Sequence, residues 1–358
     1  MNKIEKVQFI KPSQPLSGQA ILNLNRVIGN KLAGIETTLI LDTNVLIKME
    51  RVVKSGNKSS SVKLQGLQNL VDFLGRCPPQ SICLSPGQAL YEMPPAAAER
   101  SRVMFDAFCN VHLSGFIDAP NSIRTKFEGP EISYGFFDLP SDVQAVFAAT
   151  FTSLMLVQLV DRSSIRAPID KFKEYLRRAV LELDLLSEKE IEIAKYCFAE
   201  PPAKSRSIID LRKEVRKNFL QKKDKSLPRT AEESFAVAFN ATRDLFLLNG
   251  ANVSDTQGLD GVPQDCWVAT HDKKLAAFAK MVHNVNLDGE AGKYSAVVRH
   301  PECKDDMYWL MADVEHHSLV WGRSAHHEER EIDLQKFTLA AYRVAEEVRS
   351  QMASMYPD

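Results

Sequence analysis

The sequence predicts an α/β protein built on a mainly parallel sheet, with a large helical insertion. Two observations carry this. First, short hydrophobic runs end in a lone acid and pass at once into an amphipathic pattern, at "TTLILDTNVLI" (37–47) and "CWVATHDKKLAAFAKM" (266–281), and "SICLSPGQALYEM" (81–93) repeats the order with Glu92 near its end. Second, residues from about 97 to 229 carry helical periodicities and few β-branched runs. The strand–acid–helix order places acids at the carboxyl ends of strands, where open α/β sheets bind their ligands.

The elements follow in order. Thr37, Thr38 and Ile40 favour a strand, and Asp42-Thr43-Asn44 stands where a helix begins. "KSGNKSSS" (54–61) reads as a polar loop, and "LQGLQNLVDFLG" (64–75) has the apolar spacing of one helix closed by Gly75. "RTAEESFAVAFNATRDLFLLNG" predicts a helix ending at Gly250, followed by a polar loop over 251–265. Short strands are expected around "YSAVVRH" and "HSLVWG", and an amphipathic helix near the C-terminus. The divisions are a core first part (1–96), a helical insertion (97–229), a core second part (230–285) and a C-terminal extension (286–358).

Composition narrows the classes. With 44% hydrophobic and 25% charged residues, the 358-residue chain can bury a sizeable core. A net charge of −1 gives no global case for nucleic acid or membrane. Six cysteines without a CxxC pair read as reduced thiols in a cytoplasmic chain. "MNKIEKVQFIKPSQP" lacks the apolar segment of a signal peptide. "AVFAATFTSLMLVQLV" (145–160) is short for a membrane span and reads as a buried core helix.

The acids supply the chemistry. Asp42, Glu92 and Asp272 stand at strand-to-helix junctions or helix starts, with Glu233 or its neighbour Glu232 as a fourth. Four converging carboxylates would repel unless a divalent cation neutralised them, and oxygen ligands without cysteine suit Mg²⁺ or Mn²⁺. Each acid also has a plain alternative. Asp42 and Asp272 can simply cap helices, and Thr230-Ala-Glu-Glu233 is a capping box. No GxxxxGK[ST] or GxGxxG nucleotide cradle is present.

"LILDTNVLI" resembles the first motif of the PIN-domain nucleases, "ICLSPGQALYEM" is similar to the second and "VATHDKKL" to the fourth. Roughly residues 35–95 and 230–285 are covered. The resemblance implies a PIN-like three-layer α/β/α fold and a site of Asp42, Glu92, Glu233 and Asp272, supported by Asn44 and Thr270. It further implies Mg²⁺- or Mn²⁺-dependent endoribonuclease activity, in which water activated by the cation attacks phosphorus in line and leaves a 3′-hydroxyl and a 5′-phosphate. A toxin or defence effector is the implied setting, with an inhibitor protein as a candidate partner and a homodimer as a candidate assembly. The chain departs from the compact pattern in two ways: Glu233 precedes Asp272 by 39 residues, and about 130 residues follow Glu92. Asp255, Asp260 or Asp265 can replace Glu233, with Asp265 at the base of the last strand foremost.

One charge asymmetry remains. From Ala203 to Arg229, ten basic residues, among them Lys213, Arg216, Lys217, Lys222 and Lys223, face only Asp210, Glu214 and Asp224. Such a run reads either as a phosphate-neutralising surface for RNA or as a solvated helix face. His316-His317 and His326-His327 fit no zinc spacing, and a surface or edge-strand role is expected; Trp267, Trp309 and Trp321 are expected to pack. A DNA-directed nuclease and a catalytically silent nucleic-acid-binding or scaffold protein stay open beside the ribonuclease reading.

Overall fold

The computed structural model describes residues 5–15, 19–116, 135–185, 187–200, 206–259, 261–286, 295–297, 306–324 and 333–357. It is a mixed α/β protein, strongly helical, with small sheets. The chain divides into two compact units, Met1–Ser133 with Leu247–Ala296, and Tyr134–Phe246 with Val297–Asp358.

In the first unit, β-branched and apolar residues form β3 (Glu36–Leu41), the centre of a four-stranded sheet ordered β1-β5-β3-β4. β3 runs parallel to β4 (Ile82–Ser85) and to β5 (Gln264–Thr270), while β1 (Gln8–Ile10) lies antiparallel on the edge of β5. The three-residue β1 is too short for alternation to announce it. A second sheet joins β2 (Ser13–Pro15), β6 (Val282–Asn286) and β7 (Ser295–Val297), with β2 parallel to β6.

Both faces of β3 are buried. Leu39 and Leu41 enter one core cluster with Val45, Leu46, Met49 and Val52, while Ile40, on the opposite pleat, is also buried. The cluster's helical residues come from α1 (Leu24–Leu32), α2 (Thr43–Lys54), α3 (Ser59–Leu64), α4 (Gln68–Leu74), α5 (Gly87–Tyr91) and α6 (Pro95–His112).

The single helix expected over 64–75 is two helices broken at Gly66. Its φ is +74°, and a Cβ there would stand 2.0 Å from the Glu5 carbonyl oxygen. Apolar spacing runs unbroken through the glycine, so the pattern hides the break. Gly66→Ala is expected to cost about 1–3 kcal/mol in chemical denaturation and to free the Glu5–Val7 segment from its seat. Unchanged denaturation would show that this seat carries no weight.

The second unit contains α7 (Ser141–Asp161), α8 (Pro168–Leu183), α9 (Glu188–Phe198), α10 (Arg206–Phe219), α13 (Met307–Ser324) and α14 (Leu334–Met355). α7 is long and apolar enough to cross a membrane by length and composition, and 67% of its most apolar window is buried inside the protein. α14 packs along it, with Tyr342 on Phe137 and on Gln144, and Gln351 donating to the Leu159 carbonyl. The C-terminal helices therefore share one unit with α7–α10, whereas α6, also expected in the insertion, packs in the first unit.

Two further expectations change. α11 (Ala231–Gln257) does not stop at Gly250 but runs on to Gln257, where Gly258 takes a φ of +74°. Gly250 serves close packing instead, because a Cβ there would lie 2.0 Å from the Gln88 amide nitrogen. "HSLVWG" lies in α13, not in a strand, because Trp309, Ala312 and His316 bury one face at helical spacing. His316 is thus a core residue, its pKa pushed down to about 4 by burial and then by the charge of Lys195. His326-His327 lies outside the described residues. Trp267 and Trp309 are buried, but Trp321 is 77% exposed. α12 (Lys273–Met281) follows β5 as expected and packs against β1 and β6.

Candidate active site

Asp42 leaves the end of β3 at the N-cap position of α2, yet its side chain makes no capping hydrogen bond. Its carboxylate turns instead toward the neighbouring strand. The Asp42 N–H donates to the Ala269 carbonyl at 3.0 Å, which seats the residue beside the last turn of β5. Asp42 Oδ2 accepts from the Thr270 hydroxyl and from the Asn44 side-chain amide. The Asn44 amide also reaches Thr270 Oγ1 at 3.2 Å and accepts from the His271 N–H at 2.8 Å. Thr270 Oγ1 in turn accepts from the Asp272 N–H at 2.8 Å. Asn44 and Thr270 therefore hold the two strand ends in register around one buried carboxylate.

Asp42 is 8% exposed. Burial raises its pKa above the ordinary 3.8, hydrogen bonds from Thr270 and Asn44 oppose the shift, and the charge of Asp272 adds to it. That coupling places Asp272 within electrostatic reach. Asp272 caps α12, its Oδ1 accepting from the N–H groups of Lys274 at 2.7 Å and Leu275 at 3.1 Å. Glu92, at the end of α5, accepts from the hydroxyl of Thr43, the residue next to Asp42, at 2.5 Å. Three of the expected acids thus stand at or beside the carboxyl ends of β3, β4 and β5.

The other expected site residues are committed elsewhere. Asp265 lies at the opposite end of β5, in register with Thr37 and about 16 Å along the strand from Thr270. It cannot share a cation with Asp42. Glu233 belongs to the second unit and closes the start of α11: its carboxylate accepts from the Arg229 N–H at 2.8 Å and from Lys222 Nζ at 2.6 Å, while its N–H donates to Thr230 Oγ1 at 3.2 Å. The capping alternative is the one realised. Glu232 is exposed on the same turn. Asp255 pairs with Lys11 and accepts from the Cys266 N–H at 2.8 Å; Asp260 lies outside the described residues. Glu233→Ala is expected to lower thermal stability slightly and to leave any cleavage activity intact. Loss of activity without loss of fold would return Glu233 to the site.

The basic run is likewise partly spent within the second unit. Arg216 grips Asp161 through both terminal nitrogens, at 2.8 and 2.9 Å, and donates to the Cys197 carbonyl. Lys217 pairs with Glu214 and Lys222 with Glu233. Lys213 and Lys223 are exposed. Arg216 therefore acts as a structural clamp, not as an open phosphate contact.

One group escaped the sequence reading. His271, between Thr270 and Asp272, is 6% exposed, and among the described residues neither ring nitrogen is hydrogen-bonded. Its pKa is pushed down to about 4, first by burial and then by Lys48. No residue pattern marks a histidine for this; only its place beside the acid does.

No protein-family model, no curated protein and no solved structure matches the chain.

Among the described residues, no three His, Cys, Asp or Glu side chains gather closely enough to form a ready-made metal cage. The donors at the strand ends are all oxygens. Mg²⁺ is commonly held by one or two carboxylates, with waters and substrate phosphates completing its shell. Asp42 and Asp272 fit that mode, and a cation would relieve the repulsion and burial cost that raise the Asp42 pKa.

Proposed function

We propose that this chain is a PIN-like, Mg²⁺- or Mn²⁺-dependent endoribonuclease working at the Asp42–Asp272 pair. The observation that carries the reading is the buried Asp42 carboxylate, braced by Thr270 and Asn44 beside Asp272 rather than used as a cap. A cap would satisfy the α2 N–H groups. Asp42 gives its carboxylate to Thr270 and Asn44 and keeps it at a destabilising burial, which is the pattern of a functional group.

Asp42 and Asp272 would hold the cation, with Glu92 near Thr43 to accept a proton or orient water. The cation would supply neutralisation of charge developing at phosphorus and acidification of water. The protein's own part is positional. Asn44 and Thr270 fix the Asp42 carboxylate, and the hydroxyl of Thr43 fixes Glu92 one residue away.

A specific observation supports a second reading, a catalytically silent nucleic-acid-binding or scaffold protein. Asp272 is already engaged as the cap of α12, and no third ligand joins the pair among the described residues. Labelled single-stranded RNA and DNA incubated with Mg²⁺, Mn²⁺ or EDTA separate the readings. Metal-dependent RNA cleavage is expected; cleavage of DNA alone would make the enzyme a deoxyribonuclease, and none of either would support the silent scaffold.

A further inference from the structure

Because β1 is antiparallel to β5 with Gln8 opposite Thr270, the chain preceding Gln8 runs on past the strand end that carries the acids. It is firmly seated there. The Asn69 side chain accepts from the Val7 N–H at 3.2 Å and donates to the Val7 carbonyl at 2.9 Å, mimicking a strand partner. The Glu5 carbonyl fills the space Gly66 leaves by lacking a Cβ, and the His271 ring lies 3.2 Å from that same point.

The Glu5 side chain then pairs with one cation and feels the charge of a second. Its Oε1 is 2.7 Å from Lys273 Nζ, and the charges of Lys273 and Lys48 hold its pKa below the ordinary range, against the effect of burial. Lys48 comes from α2 and Lys273 from α12, the two helices that begin at Asp42 and Asp272. His271, over nine-tenths buried and with both ring nitrogens unpartnered among the described residues, lies within electrostatic reach of Lys48 and Glu5. The Glu5 carboxylate thus pairs with one ammonium group and lies within electrostatic reach of a second, with an unsatisfied imidazole against the Glu5 backbone, beside the acid pair. The Glu5–Lys273 pair is half exposed on both sides, and such a pair is worth only ~0–1 kcal/mol, so a phosphodiester of equal charge, carried on a polyanionic strand, can displace it.

We propose that Lys48, Lys273 and His271 form a subsite for a backbone phosphate of a nucleic-acid strand, and that Glu5 occupies it as a built-in competitor. The assignment rests on the nuclease reading only in taking the neighbouring phosphate of that strand to lie at Asp42–Asp272. The lysines supply charge, and the imidazole, which carries at least one N–H in either protonation state, supplies a donor for a phosphate oxygen.

The test is equilibrium binding to the full chain in EDTA, with a single-stranded RNA hexamer and with inorganic phosphate as separate probes. Glu5→Gln is expected to tighten hexamer binding by about fivefold, the weight of one exposed ion pair. Lys48→Met with Lys273→Met is expected to weaken it about tenfold or more and to flatten its salt dependence. Lys273→Met alone, at a side chain 61% exposed, repeats the direction without threatening the fold. Equal hexamer affinity in wild type and Glu5→Gln would overturn the proposal. So would inorganic phosphate binding as tightly as the hexamer, which would make a free phosphate the ligand. Binding is read without turnover, so the Glu5→Gln shift can fail while Asp42→Asn still abolishes cleavage, or the reverse.

Discussion

Replacing Asp42 by asparagine is expected to abolish metal-dependent cleavage and, in the same protein, to raise thermal stability near pH 8. The first effect follows from charge. Asparagine keeps the shape and the acceptor that Thr270 and Asn44 use, but removes the anion that would attract the cation, so a fall of at least about a thousandfold is expected. The second follows from linkage. Burial raises the Asp42 pKa, so the folded state binds this proton more tightly than the unfolded state does. Stability is therefore lost as pH rises from about 3.8 through the higher folded value, and stays lost above it. Asparagine carries no such penalty. A gain on the order of 1 kcal/mol is the usual scale for relieving one functional group, or about 2–4 °C in a domain of some 180 residues. Calorimetry at pH 5 and pH 8, with the cleavage assay beside it, reads both arms. Wild-type cleavage by Asp42→Asn with metal present would falsify the enzymatic reading. A loss of stability at pH 8 would show Asp42 to be structural.

The part of this site that was legible in the sequence is the part made locally. A hydrophobic strand ending in an acid and opening into a helix is written in consecutive residues, and both Asp42 and Asp272 stand where that pattern puts them. Asn44 and Thr270 sit within two residues of those acids, and they form the hydrogen-bonded link between the strands. Glu233 was ambiguous for a physical reason. The features that recommend an acid at a helix start for metal binding also recommend it for capping, and Lys222 with the Arg229 N–H decides for capping. The break at Gly66 and the continuation through Gly250 were hidden differently. Each depends on what packs against a missing Cβ, Glu5 in one case and Gln88 in the other, and periodicity carries no trace of either neighbour. The edge strand β1 exists only through pairing with residues more than 250 positions away, and the seat of Glu5 beside His271 through Gly66 and Asn69, which no local pattern links to it.

Asp265 shows how far a buried acid's role depends on such distant partners. Asp265→Ala is expected to destabilise the protein by about 3–5 kcal/mol, the cost of leaving buried charge uncompensated. Arg26 binds the Asp265 carboxylate through Nε at 2.7 Å and Nη2 at 2.8 Å, Asn30 donates at 2.7 Å and Lys11 lies 2.8 Å away. The two hydrogen-bonding partners from α1 are 239 and 235 residues distant in sequence. Burial alone would raise the Asp265 pKa, but Arg26 and Lys11 overcome it and hold the group far below the carboxylate range. The sign is thus opposite to that of Asp42. The stability Asp265 contributes is present above the ordinary pKa near 3.8 and is lost as pH falls toward the depressed folded value. Resistance of the wild type to denaturation should therefore fall steeply below pH 4, and that of Asp265→Ala should start lower and depend less on acid. The fraction that remains folded should still bind the RNA hexamer, because the substitution lies at the far end of β5. Two acids at opposite ends of one pair of parallel strands, both nearly inaccessible, thus separate by what surrounds them. Asp265 is paired with cations and stabilises the fold. Asp42 is held by neutral donors beside another acid, an arrangement that costs stability and that a proton at lower pH, or a bound cation, would relieve.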